Sequence, residues 1–238
     1  DAVTGEIRLC GQGEMHLKAA IERLSGRFGL DVLRRAPRVA YREAIAAPVT
    51  VHSRHKRQSG GHGQFADITV AFSPGGRGEG FRFSQEVIGG TVPKTYFGAV
   101  EAGIAETLGE GPLGFPVVDL DAVLIDGAHH AVDSSEQAFR AAAHLAVREA
   151  LARAGTVLLE PVLSVVFDVP AEATARIAAI AATRRGHITA CEPRASWPGW
   201  DTVHALIPEA GVQDLILAVR SARAGVGADR PAFPHLAA

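Results

Sequence analysis

The stretch SSEQAFRAAAHLAVREALARAG, residues 134–155, does most to limit what this chain can fold into. It reads as one long helix over 134–154. Glu136 lies three residues after Asp133, the spacing of a capping box with Asp133 as the cap, and Gly155 sits where a helix stops. Ala141 to Ala143 and Ala146 keep this helix slim, so it can lie close against a sheet. A second helix is expected at 94–109, with Phe97, Val100, Ile104 and Leu108 on one face. Around the two helices the pattern turns strand-like, at 38–46, 65–72, 80–88 and 117–126. The run from Ile68 to Phe72 alternates apolar and polar positions. Residues 38–159 therefore form one α/β unit.

Two shorter units flank it. Residues 160–238 read strand, helix, strand, strand, helix, with strands near 160–168, 187–192 and 201–207 and helices near 171–183 and 209–223. This is the order of a ferredoxin-like split βαβ unit without its last strand. Pro231 and Pro234 each remove a ladder donor, which makes the tail a poor strand. Residues 1–37 give a helix over 14–29 with Leu17, Ile21, Leu24 and Phe28 in a stripe, and a strand begins at Leu30–Val32. That is half of a small α/β unit, so the chain is expected to be a piece of a longer protein. The fold class is α+β and multidomain, divided at 1–37, 38–159 and 160–238.

Between His52 and Phe65 the sequence HSRHKRQSGGHGQF gathers Arg54, Lys56 and Arg57 with three histidines and no acid. It reads as a basic, glycine-bent loop feeding a sheet, suited to phosphate contacts. The net charge of the chain is −2, so basic surface of this kind is local rather than global. Cys10 and Cys191 fall in different predicted domains, which fits a reducing cytoplasm better than a disulfide. No run of about 18 apolar residues exists to span a membrane.

This basic segment, together with VIGGTVPKTY (87–96) and GPLGFPVVDLDAVLIDGAHHAVDSSEQAF (111–139), closely resembles the fourth domain of bacterial elongation factor G, a translational GTPase. LCGQGEMHLKAAIERLSGRFGLDV is similar to the second half of that family's third domain. LLEPVLSVVFDVP and RRGHITACEP are similar to its fifth. The resemblance implies a half ferredoxin-like unit, then a ribosomal-protein-S5-like α/β domain with a βαβ crossover, then a ferredoxin-like domain. It further implies a tip formed by Ser59, Gly60, Gly61, His62, Gly63 and Gln64, by Gly89, Gly90, Thr91 and Pro93, and by His129 and His130. That tip would contact the ribosome and the tRNA–mRNA pair. Arg54, Lys56, Arg57, Arg184 and Arg185 would contact ribosomal RNA of either subunit. GTP and magnesium would belong to an upstream GTPase domain of the same polypeptide, and this chain itself would hold no cofactor and catalyse nothing. HKRQSGGHGQFAD and GPLGFP look closer to the elongation-factor-G-like paralogs, which leaves recycling or ribosome protection open beside translocation.

Other chemistry is weaker. The glycine-rich GGRGEG at 75–80 has no Lys-Ser or Lys-Thr after it and opens no helix, so it is no phosphate cradle. His52, His55, His62, His129 and His130 lack cysteine neighbours and a shared helical face, which argues against zinc. Asp126, His129, His130, Asp133 and Ser134 suggest a hydrolase set only superficially. Capping explains Asp133 and Ser134 at less cost. Arg184 and Arg185 suit a helix C-terminus, with Gly186 as its left-handed stop. Trp197 and Trp200 frame a turn whose rings either stack on RNA or pack on the domain edge.

Overall fold

The computed structural model describes residues 5–11, 14–58, 63–222 and 229–237. They fall into two compact units, Asp1–Ala40 and Tyr41–Ala238. In the first, helix α1 (Glu14–Phe28) half-buries Leu17, Ile21 and Leu24, while Phe28 stays exposed. Its basic residues Lys18, Arg23 and Arg27 face solvent. The carboxylate of Glu6 accepts from the backbone N–H of Arg38 at 2.9 Å and pairs with Arg35, which brings the two flanks of the helix together. The strand expected at Leu30–Val32 does not form. No described segment pairs with those residues, and Leu30 N–H closes on the Leu24 carbonyl of the helix end at 3.1 Å; β structure is a pairing rather than a local preference.

The second unit contains two sheets. In the first sheet the order is β2 (Val49–Arg57), β3 (Gln64–Pro74), β5 (Leu120–Ala128) and β4 (Phe81–Gln85). β2, β3 and β5 are antiparallel neighbours, whereas β4 runs parallel to β5. Parallel neighbours need a crossover, and helix α2 (Phe97–Thr107) supplies it. The segment read as a basic loop is thus mostly a strand. Val49, Val51 and Ser53 point toward the core while Thr50, His52, Arg54 and Lys56 point outward, the period of two that a half-buried strand requires. Nine cross-strand pairs, Val49↔Phe72 to Arg57↔Gln64, hold it to β3.

Helix α3 (Glu136–Ala154) covers the inner face of this sheet with Phe139, Ala142, Ala143, Ala146 and Val147, all fully buried. The alanines allow the close approach that the sequence suggested. Gly103 of α2 sits against α3 so tightly that a Cβ there would lie 2.7 Å from the Arg140 carbonyl oxygen. Ser53, the buried polar residue of β2, donates its hydroxyl to the Ala142 carbonyl at 2.9 Å. The helix cap is Ser135, whose side chain accepts from Ala138 N–H, and not the expected Asp133. The GGRGEG segment is the β3–β4 connection. It folds over buried Asp119, whose Oδ1 accepts the N–H groups of Gly78 and Gly80.

The second sheet holds β9 (Asp229–Ala237), β6 (Thr156–Pro170), β8 (Trp200–Pro208) and β7 (His187–Pro193) in that order, all antiparallel. Helices α4 (Thr174–Thr183) and α5 (Glu209–Ala222) close one core with it, through Ile177, Ala181, Val212 and Leu215 against Val165, Phe167, Val203 and Ile207. This is the ferredoxin-like order, and it includes the last strand that the two prolines argued against. β9 is an edge strand, where a missing donor can face away from the ladder. Between Ala232 and His235 two residues oppose Leu163 alone, and this bulge restores the phase between Pro231 and Pro234. β1 (Arg42–Ile45) joins the same sheet by pairing with the first residues of β6.

Glu43 of β1 is fully buried and accepts the N–H groups of Leu113 and Phe115 at 2.9 and 3.0 Å, pinning the GPLGFP loop. Glu43→Ala takes the acceptor from both part-buried N–H groups, at about 1–3 kcal/mol each. Denaturant unfolding should show a loss of about 2–6 kcal/mol by that count. A loss under about 0.5 kcal/mol would mean the loop finds other acceptors.

Candidate nucleic-acid interface

Three connections meet at one end of the first sheet. The β2–β3 turn returns at Gly63, Gln64 and Phe65. The β4–α2 connection carries Gly89, Gly90, Thr91 and Pro93. The β5–α3 connection carries His129 and His130. Ser59, Gly60, Gly61 and His62 lie outside the described residues.

Asp133 and Ser134 fasten the first connection to the third. Asp133 Oδ1 accepts Gly63 N–H at 3.0 Å, and its carbonyl accepts Phe65 N–H at 2.8 Å. Ser134 Oγ donates to the Phe65 carbonyl at 2.8 Å and accepts His130 N–H at 2.9 Å. His130 stands edge-on to Phe65 with ring centres 6.4 Å apart. Its Nδ1 lies 3.3 Å from Val132 N and 3.2 Å from Asp133 N.

Asp126 and Thr91 fasten the second connection to the third. Asp126 Oδ1 accepts from the Thr91 hydroxyl at 3.1 Å and from Gly127 N–H at 2.8 Å. His129 Nδ1 lies 3.0 Å from the Thr91 carbonyl oxygen. Tyr96, stacked on Phe139, reaches the Ser134 carbonyl with its hydroxyl at 3.3 Å. A bulge opposite Thr69 and Val70 shifts the β5 register just before Asp126, and bulges of this kind bend a strand end. Gly127 is the tightest point. A Cβ there would strike the Asp67 carbonyl and the Val92 side chain.

Beside the tip, the outward face of β2 carries His52, Arg54 and Lys56. His52 Nε2 pairs with Asp67 at 2.7 Å, and Arg54 lies over the Phe65 ring at 5.2 Å. His55, on the other face of the strand, pairs with Gln64 Oε1 at 2.9 Å. Lys56 and Arg57 are exposed and make no ion pair among the described residues. A strand puts His52 and His55 on opposite faces, so they do not converge on a metal. The Ser134 hydroxyl is taken up by two backbone groups, the Phe65 carbonyl and His130 N–H.

Arg184 and Arg185 belong to the other sheet's domain. They end α4 in a Schellman turn, with Gly186 N–H on Ala181 O at 2.8 Å and Arg185 N–H on Ala182 O at 3.1 Å. The left-handed residue is Arg185, at φ 58°, and not Gly186. Gly186 is needed for space instead, since a Cβ would come within 3.0 Å of Ala181 O and Ile207. Arg185 pairs with Glu160 at 2.7 Å. Trp197 packs edge-on to Trp200, and Arg194 lies 3.9 Å above its ring, so the pair forms a local cluster.

Residues 37–155 match the family described as elongation factor G, domain IV, and residues 157–231 match the elongation factor G C-terminus. The chain belongs to the elongation factor G family. It is 47% identical over 224 residues to an elongation factor G-like protein of Synechocystis sp., covering 94% of this chain and 34% of that protein. It is 40% identical to elongation factor G of Dinoroseobacter shibae, covering 99% of this chain and 33% of that one. A crystal structure from Thermus thermophilus superposes with a TM-score of 0.88 at 36% identity, over 99% of this chain and 35% of that chain. The chain thus spans about a third of the length of these relatives and is a translation elongation factor module.

The elongation factor G motifs located the three tip connections, but not the residues that join them. Asp133 and Ser134 read as capping residues because three polar candidates stand in a row. The sequence offers no signal that separates the three, because the helix start at Glu136, with Ser135 as its cap, is visible only in the structure. Gly127→Ala should cost about 1–3 kcal/mol by overpacking and speed amide exchange at Gly63 and Phe65. Unchanged exchange would show that the three connections are not mechanically joined.

Proposed function

We propose that this chain is the RNA-facing part of a translational GTPase that promotes tRNA–mRNA translocation. Its domain IV tip enters the decoding site of the small ribosomal subunit. The observation that carries this reading is the tip itself. Three connections are pinned to one another by Asp126, Asp133 and Ser134. On the adjoining strand stand Lys56 and Arg57, without an ion pair among the described residues. A polar, preorganised surface next to available cations suits an RNA backbone, which supplies both charge and hydrogen-bond partners. It needs no chemistry of its own. GTP and magnesium would act in an upstream domain, consistent with relatives about three times as long. The working compartment is the cytoplasm, and the partners are the ribosome, its RNA and the tRNA–mRNA pair. Arg184 and Arg185 would face RNA of the large subunit.

A second reading has its own support. The elongation factor G-like protein is 47% identical to this chain, against 40% for the housekeeping-named factor. A paralog acting in ribosome recycling or protection would keep the tip but not drive single-codon movement.

Toeprinting of pre-translocation ribosomes with the full-length factor and GTP separates the two. Translocation predicts single-codon movement that His130→Ala slows at least roughly tenfold, the equivalent of about 1.4 kcal/mol in the barrier. GTP turnover should change far less. Ribosome-stimulated hydrolysis without movement selects the paralog reading. Lys56→Ala and Arg57→Ala should each flatten the dependence of log affinity on log salt by about 0.7–0.9. An unchanged slope in salt-titrated ribosome binding would remove these two residues from the interface.

A further inference from the structure

We propose that the adjacent tip histidines are held in opposite tautomers, so that the tip offers its partner one hydrogen-bond acceptor, His129 Nε2, and one donor, His130 Nε2–H. Asp133 and Ser134 act as positioning residues for the donor. The argument rests on what each Nδ1 faces. His129 Nδ1 is 3.0 Å from the Thr91 carbonyl oxygen. A carbonyl can only accept, so this nitrogen carries the proton and Nε2 keeps its lone pair. Thr91 is itself held through its hydroxyl to Asp126. His130 Nδ1 faces the backbone N–H groups of Val132 and Asp133 at 3.3 and 3.2 Å. These can only donate, so here Nδ1 keeps the lone pair and Nε2 carries the proton.

The Asp133 carboxylate also lies 3.3 Å from His130 Nδ1. The near oxygen is Oδ2, while Oδ1 accepts Gly63 N–H. A proton on Nδ1 would gain that one oxygen but would point into the two backbone N–H groups that already face the nitrogen, so the lone pair stays at Nδ1 and Asp133 fixes the loop. Ser134 completes the hold by accepting His130 N–H and donating to the Phe65 carbonyl. Both imidazoles are exposed, and the outward Nε2 atoms are therefore one acceptor and one donor. A ribose 2′-hydroxyl, which donates and accepts, fits this pair, whereas a phosphate only accepts and would leave His129 idle. The partner half of this inference rests on the tip-contact reading above. The tautomer half does not.

The first experiment is long-range proton–nitrogen correlation NMR of the chain with nitrogen-15 histidine, at a pH where both rings are neutral. The expected result is a protonated Nδ1 at His129 and a protonated Nε2 at His130. Ser134→Ala and Asp133→Ala should each shift His130 toward a tautomer mixture and leave His129 alone. A merely structural role would lower the melting temperature without moving the tautomer ratio. Like tautomers at the two positions overturn the inference, whatever the ribosome assay gives. In the full-length factor, His130→Gln, whose amide can place a donor near the Nε2 position, should retain mRNA movement. His130→Asn, whose donor falls near Nδ1, should lose roughly three- to tenfold. The difference should vanish on a message with 2′-deoxy nucleotides in the decoded codon, and its persistence there overturns the 2′-hydroxyl assignment. If even His130→Ala leaves movement unaltered, the tip-contact reading fails while the tautomer result stands.

Discussion

The close seat of α3 on α2 and on the first sheet is the constraint from which the rest follows. Gly103 gives room for the Arg140 carbonyl, a row of alanines meets the sheet, and Ser53 takes up the Ala142 carbonyl. A bulkier residue at any of these points would lift the helix and both of its ends. One end delivers Asp133, Ser134 and Ser135 to the tip. The other, at Gly155, hands the chain directly to β6. Nineteen residues at 1.5 Å each separate the two by about 28 Å. A small-residue contact in the core therefore sets the place of a polar surface far from it.

At the tip, three consecutive polar residues divide three tasks. Ser135 caps the helix, Ser134 bridges His130 to Phe65, and Asp133 takes the Gly63 amide. Most of these bonds end on backbone groups. The geometry of the connections then depends little on neighbouring side chains, and the exposed imidazoles can meet a partner without first being ordered. Less conformational entropy is lost on contact when the groups are already fixed.

Much of this was legible in the sequence. The helical stripe of α2, the alanines and glycine stop of α3, the alternation in β3 and the long motifs of the tip gave the architecture of the first sheet's domain. Strand β2 was hidden because its outward residues are basic and one inward position is Ser53, so charge drew attention away from the period of two. Leu30–Val32 shows the opposite error, since apolar residues of strand type make no strand without a neighbour. β9 shows that prolines weigh less at an edge with a bulge between them. Arg185 took the left-handed position because Gly186 was needed for packing against Ile207. That competition is decided by residues far away in sequence. The tip's internal bonds were illegible for the same reason, as Asp133 and Gly63 are 70 residues apart.

β6 is one strand of 15 residues that first pairs with β1 and then runs between β8 and β9. Ile45 of β1 packs in the core beneath the first sheet while its backbone ladders to β6. The joint between the two halves is therefore a hydrogen-bonded splice rather than a hinge. Antiparallel ladder bonds lie across the strands, so a pull along β6 strains many of them together in shear instead of peeling them one by one. Bending one half against the other at this joint would have to break ladder bonds rather than turn a free linker.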